Sequence, residues 1–462
     1  MRRRCAGVGA LVAWMLTVHA MAGAIEFQAK AGSALQAGAG SAAEDPIRTL
    51  VGRLDLEKYK ATIKGLTQFG DRRQGTDRNR AANDWIEAQL KSYGCSDIGR
   101  IKYEVTSGGR TGGAGEAGRA TGAAAGGGRA AAGAVAGGTG RGAAGAAAAG
   151  GGGGAAAGAA GGQGQGIGTQ IVPRGRGGAN PVKGNRGPTG VNNDPSKQPD
   201  PKIRELDMQP STPGPRDEVY CTKIGSTHPE EMYIVAAHMD GIGYSEGAND
   251  DASGVAIVME LARIFSAPDV KTDRSIRFVL WNNEETGLNG ARAYVSQRAP
   301  LQGKEDPPNS GKYPEPKWLG MIQHDMMLYD HGMPGPDGKL PAEQRPEADV
   351  NIEFAATAKM GAQAQELAWV FKNANDRYAT DYPAVVGNRM SNTDSAAFQD
   401  LVAAISLREA ERLSQVGAGW DPTWHQPTDV FTTFSDKDFR LGLNAAQTTL
   451  AAIAQLAGAK LK

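Results

Sequence analysis

From Arg48 to Tyr93 apolar positions recur at helical spacing. They run first through LVGRLDLEKYKATIKGL and then through DRNRAANDWIEAQLKSYG, where Asp77 can cap the start and Gly94 can end the helix. The period then changes. IKYEV (Ile101 to Val105) reads as a strand, and after a long interruption the pattern resumes with a second, EVYCTKIGS (Glu218 to Ser226). Next come three near-continuous apolar runs: MYIVAAH (Met232 to His238), SIRFVLW (Ser275 to Trp281) and WLGMIQH (Trp318 to His324). Between them lie the helical patterns ASGVAIVMELARIF (Ala252 to Phe265) and LNGARAYVSQ (Leu288 to Gln297). A strand that is apolar on both sides is covered on both sides. The alternation therefore predicts an α/β fold, a mixed and mostly parallel central sheet with helices on both faces. DKDFRLGLNAAQTTLAAIAQLAG closes the domain as an amphipathic helix.

The interruption is compositional. From Thr106 to about Lys202 the chain is Gly, Ala and Arg with a Pro/Asn/Lys tail, almost without aromatic or branched apolar residues. Such a stretch cannot bury enough surface to offset the roughly 1 to 2 kcal/mol per residue of backbone entropy lost on ordering. It predicts a long disordered insertion, bounded at 106–215, in the connection between two neighbouring strands. Closure cost grows only with the logarithm of loop length, so a sheet tolerates it.

Formal charge is zero and the hydrophobic fraction 40% over 462 residues, which argues against a surface built for polyanions. Arg110, Arg119, Arg129, Arg141, Arg174 and Arg176 in a Gly-rich setting suggest RNA-contacting segments, but the aromatic interleaving is missing and no nucleic-acid partner is expected. At the start, Arg2, Arg3 and Arg4 precede an apolar stretch from Cys5 to Val18 and the small residues AMAGA. This pattern predicts an export signal over 1–24, cut between Gly23 and Ile25. The apolar stretch is shorter than the ~20 residues of a spanning helix, and no later segment is apolar enough to span. The expected product is an exported protein, periplasmic or extracellular, with no stable membrane span after signal removal. Cys5 would leave with the signal, and Cys95 and Cys221 would remain, either as a disulfide or as two buried thiols.

Candidate chemistry gathers where apolar runs end, which is where an open α/β sheet builds its site. His238 and Asp240 close one strand in AAHMDG. Asp250 and Asp251 open a helix in GANDDASG, and Glu284 and Glu285 follow a strand in WNNEETG. Asp325 follows WLGMIQH directly, while His324 beside it points to the opposite face if the strand persists; His425 sits in WHQPTDVF between Pro422 and Pro427. Each has an ordinary explanation alone: a surface His-x-Asp pair, a helix cap, a solvated acidic turn, a loop histidine. Two observations weigh against those. Only one of two adjacent aspartates can cap a helix, and two adjacent glutamates after a buried strand repel unless a cation neutralises them. Imidazole nitrogen and carboxylate oxygen both suit zinc, and one carboxylate can bridge two ions.

Taken together these motifs resemble the M28 family of metallopeptidases, zinc aminopeptidases of bacterial secreted type, over roughly Asp55 to Tyr103 and Glu218 to Leu456. The resemblance implies a zinc-exopeptidase-like fold with two Zn2+ ions, for which Mn2+ or Co2+ can substitute. His238 and Asp325 would hold one ion, Glu285 and His425 the other, and Asp250 would bridge them. Glu284 would be the general base and later the acid, Asp240 would orient His238, and the Asp250–Asp251 peptide would be cis. NTDSAAFQD resembles the family's Ser-Asp-His segment, with Thr393 and Asp394 in place and Ser395 where the His would stand. On this reading the chain comprises a signal (1–24), a flexible segment (25–45), the first part of the catalytic domain (46–105), the insertion (106–215) and the main part of the peptidase domain (216–462). The implied activity is hydrolysis of a peptide or protein substrate, as an aminopeptidase. The alternative is a carboxypeptidase or dipeptidase, in which Arg389 would hold a terminal carboxylate. A glutaminyl cyclase fits less well, since those relatives work with one zinc. Oligomeric state is not legible.

Overall fold

A computed structural model describes residues 45–95, 97–105, 191–329, 350–388, 393–409 and 421–462. The export signal, most of the Gly/Ala/Arg tract with its arginines, and Arg389 lie outside the described residues.

The long N-terminal helical run is two helices, not one: α1 (Pro46–Val51) and α2 (Leu56–Thr67). The break falls at Asp55, whose carboxylate accepts the Lys58 N–H at 2.9 Å and restarts the helix. In α3 (Asp77–Ser92) the cap is Thr76 rather than Asp77, and Gly94 takes the positive φ (84°) that lets the chain turn away. Strand β1 (Asp97–Val105) then pairs antiparallel with β2 (Gly214–Lys223), Val105 lying opposite Gly214. The two ends of the insertion therefore leave and rejoin the sheet side by side.

Composition misjudges the insertion's far end. Residues 191–213 contain a helical turn (Pro195–Lys197) and α4 (Pro201–Asp207), capped by Asp194 and Asp200. Asp207 is buried, ion-paired to Arg78 at 2.8 Å, and accepts the Asp71 N–H at 3.0 Å. Polar side chains that pack through hydrogen bonds to distant residues order this stretch, a property that average hydrophobicity does not register.

The rest follows the α/β pattern. β3 (His228–His238), α5 (Ala252–Phe265), the short β4 (Val270–Lys271), β5 (Arg274–Trp281), α6 (Asn289–Arg298) and β6 (Lys317–His324) come in order. Beyond Asp325 come elements that the sequence reading does not name: β7 (Val350–Phe354), α7 (Gly361–Tyr378), β8 (Ala384–Gly387) and β9 (Ala404–Arg408). Then come α8 (Asp436–Leu456) and β10 (Lys460–Leu461), which pairs with β4.

Eight strands form one sheet in the order β1-β2-β5-β3-β6-β9-β7-β8. The central four are parallel, while β2 joins β5 and β7 joins β9 antiparallel. Successive side chains of a strand point to opposite faces, and the sheet accordingly separates two cores. Val235, Ala237, Phe278 and Leu280 pack with α2, α5 and α8, whereas Ile234, Ala236, Val279 and Trp281 pack with Tyr294 of α6 and with Phe398. α5 is buried at almost every position, which is why its sequence is apolar all round.

Candidate active site

The parallel strands β3, β5, β6 and β9 bring their C-terminal ends to one edge. His238 ends β3, Glu284 and Glu285 follow β5, Asp325 follows β6, and Arg408 ends β9. Asp250 enters from the turn before α5 and His425 from the loop between β9 and α8. Asp251 is the helix cap, accepting the Gly254 N–H at 2.9 Å. Its carboxylate also accepts the Met326 N–H at 3.1 Å and the His238 N–H at 3.2 Å, so one side chain ties the ends of β3 and β6 to the start of α5. Asp250, joined to it by a cis peptide, is left free to face the crevice. The Glu284–Glu285 turn rests on Asn283, at φ 64°, and on the Tyr103 hydroxyl, 3.0 Å from both the Asn283 side chain and the Asn282 carbonyl.

Two trios result, each with one potential ligand atom per residue and all atoms within 4.8 Å: His238, Asp250 and Asp325, and Asp250, Glu285 and His425. Asp250 belongs to both. Its Oδ1 lies 3.2 Å from His238 Nε2 and its Oδ2 lies 3.0 Å from His425 Nε2. Asp325 Oδ1 is 3.9 Å from His238 Nε2, and Glu285 Oε2 is 2.9 Å from His425 Nε2. Glu284 belongs to neither trio among the described residues.

The electrostatics call for positive charge. Burial would lower the pKa of His238, yet its bonds to Asp250 and Asp325 raise it well above the usual imidazole value. His425 behaves alike, pushed up to about 9 by Glu285 and Asp250 against the effect of burial. Desolvation raises Glu284 and Glu285, and neighbouring carboxylates raise them further. Both imidazoles are thus held toward their cationic form by surplus acid, a deficit that divalent cations would meet with the imidazoles neutral. Glu285 Oε1 is buried without a hydrogen-bond partner. Two His and three Asp/Glu are a donor set suited to zinc, so these residues fit a pair of such ions.

The Asp240 carboxylate does not take the ring N–H of His238, lying 3.9 Å from Nδ1; it accepts the Glu284 N–H at 3.0 Å. The ring nitrogen meets the Asp240 main-chain carbonyl at 2.9 Å instead, so Asp240 supports His238 through its backbone and the glutamate turn through its side chain. His324 points away from the site, Nε2 lying 2.8 Å from Thr449 Oγ1 on α8. Asp394 is buried beside Gln323 (3.4 Å), and Ser395 pairs with Ser406 at 2.6 Å. Sequence reasoning missed Arg408, whose guanidinium donates to Asp325 Oδ2 at 2.6 Å, and Asp429, which accepts the Asn249 and Asp250 N–H groups at 2.7 and 3.0 Å. Arg408, ending a buried five-residue strand with no charge of its own to balance, was the readable signal for a buried acid partner.

A mixed α/β sheet here gathers two acid–imidazole trios around one shared carboxylate, a donor set that could hold two metal ions. Residues 219–448 match the profile of Peptidase family M28, and the chain belongs to that family. It is 41% identical over 68 residues to Aminopeptidase YwaD of Bacillus subtilis, covering 15% of this chain and 14% of that protein. It is 27% identical over 247 residues to the Probable lipoprotein aminopeptidase LpqL of Mycobacterium tuberculosis, covering 50% and 43% respectively. Carboxypeptidase Q of Xenopus laevis is 37% identical over 71 residues, 15% of each chain. The chain thus spans less than half the length of these curated relatives. Among solved structures, the LapA aminopeptidase of Legionella pneumophila superposes with a TM-score of 0.51 at 14% identity, covering 91% of this chain and 76% of that one; this likeness concerns the fold.

Proposed function

We propose that the chain is an exported two-zinc exopeptidase that releases N-terminal amino acids from peptides. The observation that carries the reading is the shared carboxylate: Asp250 offers one oxygen to each trio, and Glu284, which interacts electrostatically with His238, Glu285 and Asp325, joins neither. His238, Asp250 and Asp325 would hold one ion, and Asp250, Glu285 and His425 the other. When bound, such a pair polarises the scissile carbonyl and makes water a stronger acid.

This chain's own residues supply the rest. Glu284, raised by burial and by the negative charge around it, takes the proton of the attacking water and returns it to the leaving amine. Asp240 fixes the Glu284 backbone. Arg408 turns one oxygen of Asp325 away, so that the other faces His238. A free substrate amine can pair with site carboxylates, which favours action at the N-terminus. Two of the three curated relatives above are named aminopeptidases. The likeness to Carboxypeptidase Q motivates the second reading, a carboxypeptidase or dipeptidase. Export is supported by the Cys95–Cys221 disulfide and by the likeness to a protein named as a lipoprotein.

Glu284→Gln tests the mechanism: the variant is expected to retain both ions by metal analysis and to lose turnover by a factor on the order of 10² or more. Normal turnover refutes the assignment. The same preparations, assayed on amino-blocked and carboxyl-blocked dipeptides, decide the direction, with cleavage of the amino-blocked peptide overturning the aminopeptidase reading.

A further inference from the structure

The stretch that leads out of the insertion crosses two loops of the site. Gln198 is 1% exposed; its side-chain amide donates to the Tyr244 carbonyl at 2.7 Å and to the Pro427 carbonyl at 3.1 Å, while its oxygen accepts the Asp200 N–H at 3.0 Å. Asn192 spans the same gap. Its main-chain N–H donates to the His425 carbonyl at 3.0 Å and its side-chain amide to the Gly243 carbonyl at 3.1 Å. Two residues thus bridge the loop that follows His238 to the loop that carries His425.

Both loops also have anchors besides these crossbars. Arg72, fully buried, donates to the carbonyls of Met239 (2.7 Å), Glu246 (2.6 Å) and Gly247 (2.8 Å), so the first loop has a clamp of its own. The second loop is anchored on both sides of His425, by Asp421, which accepts from the Asn249 side chain at 2.9 Å, and by Asp429, which accepts the Asn249 and Asp250 N–H groups. At His425 itself the backbone sits at φ 57°, a region that non-glycine residues hold only when their surroundings impose it. It presses so closely on Gly243 (φ 108°) that a Cβ there would come within 2.6 Å of the His425 carbonyl carbon and oxygen. The hydrogen bond from Asn192 is received by that same carbonyl.

We infer that Gln198 and Asn192 are positioning residues for the second metal position, holding His425 against Asp250 and Glu285, so that the exit of the insertion is a working part of the site. This rests on the two-zinc reading above. Its test uses the full chain, stripped of metal and titrated with zinc against a competing chelator. Gln198→Met keeps side-chain bulk and removes both donors; Asn192→Ala removes the Gly243 link and keeps the main-chain donor. The unaltered protein is expected to take two ions. The double variant should bind the first with unchanged affinity and the second about tenfold or more weakly, with Asn192→Ala alone intermediate. A purely structural role would not change the ratio of the two affinities. Unchanged affinities in both variants, or equal weakening at both positions, overturn the positioning role while leaving the two-zinc reading standing. An unaltered protein that takes fewer than two ions overturns the two-zinc reading, and the inference with it.

Discussion

At the scale of single residues, Arg408 and a bound cation answer the same carboxylate from opposite sides. Arg408 Nη2 lies 2.6 Å from Asp325 Oδ2, while Oδ1 faces His238. Burial alone would raise the Asp325 pKa, yet Arg408 and then His238 hold it well below the usual carboxylate range. Removing one partner of a buried pair typically costs about 3 to 5 kcal/mol. Arg408→Met should show that loss in full in chelator and a smaller one in saturating zinc, because an ion at Asp325 replaces part of the missing charge. Urea unfolding in the two conditions measures the difference; equal losses would mean that no ion reaches Asp325. The five candidate ligands were legible because each lies in a compact motif, four of them at the ends of apolar runs or beside a helix start. Gln198 was not, since it acts through contacts with residues far away in the sequence, and Arg408 left a signal, a charge ending an apolar strand, that did not name its distant partner.

Elements meet at Asp251, which accepts the N–H of Gly254 at the start of α5, of Met326 after β6 and of His238 at the end of β3. Losing a cap costs about 1 kcal/mol and each buried donor left without a partner about 1 to 3. Asp251→Ala should therefore lower unfolding free energy by about 3 kcal/mol or more, read from denaturant curves. Loss of the cap alone, about 1 kcal/mol, would show that the strand ends are held by other means. Legibility at this scale followed pattern strength. α5 has the bounds that its sequence shows, and β3, β5 and β6 run through the apolar stretches read as strands. β7 escaped because it buries Asn351 and Glu353, joined to each other at 2.9 Å, so its polarity hides its depth. α7 had a readable stripe in Leu367, Phe371, Ala374 and Tyr378, all buried.

For the whole molecule, the insertion sets an entropic problem that the disulfide answers. Cys95 follows α3 and Cys221 lies in β2, so the link closes a loop with a sequence separation of 126 that contains the whole Gly/Ala/Arg tract. Without it, the unfolded chain recovers the freedom of that loop, worth roughly 5 kcal/mol in the chain-entropy account and about 2 to 5 in practice. Cys221 sits level with Phe278 in mid-sheet, its side chain in the core of α2, α5 and α8, away from the strand ends that carry the site. Replacing both cysteines with serine should therefore lower unfolding free energy by about 2 to 5 kcal/mol, while zinc affinity and turnover per folded molecule stay unchanged. Shortening the insertion should reduce that loss only slightly, because closure entropy depends on the logarithm of loop length. A serine variant as stable as the parent would mean that the β1–β2 ladder alone holds the ends of the insertion together. A variant that keeps its stability but loses zinc would instead assign the disulfide to the metal site, against its place in the sheet.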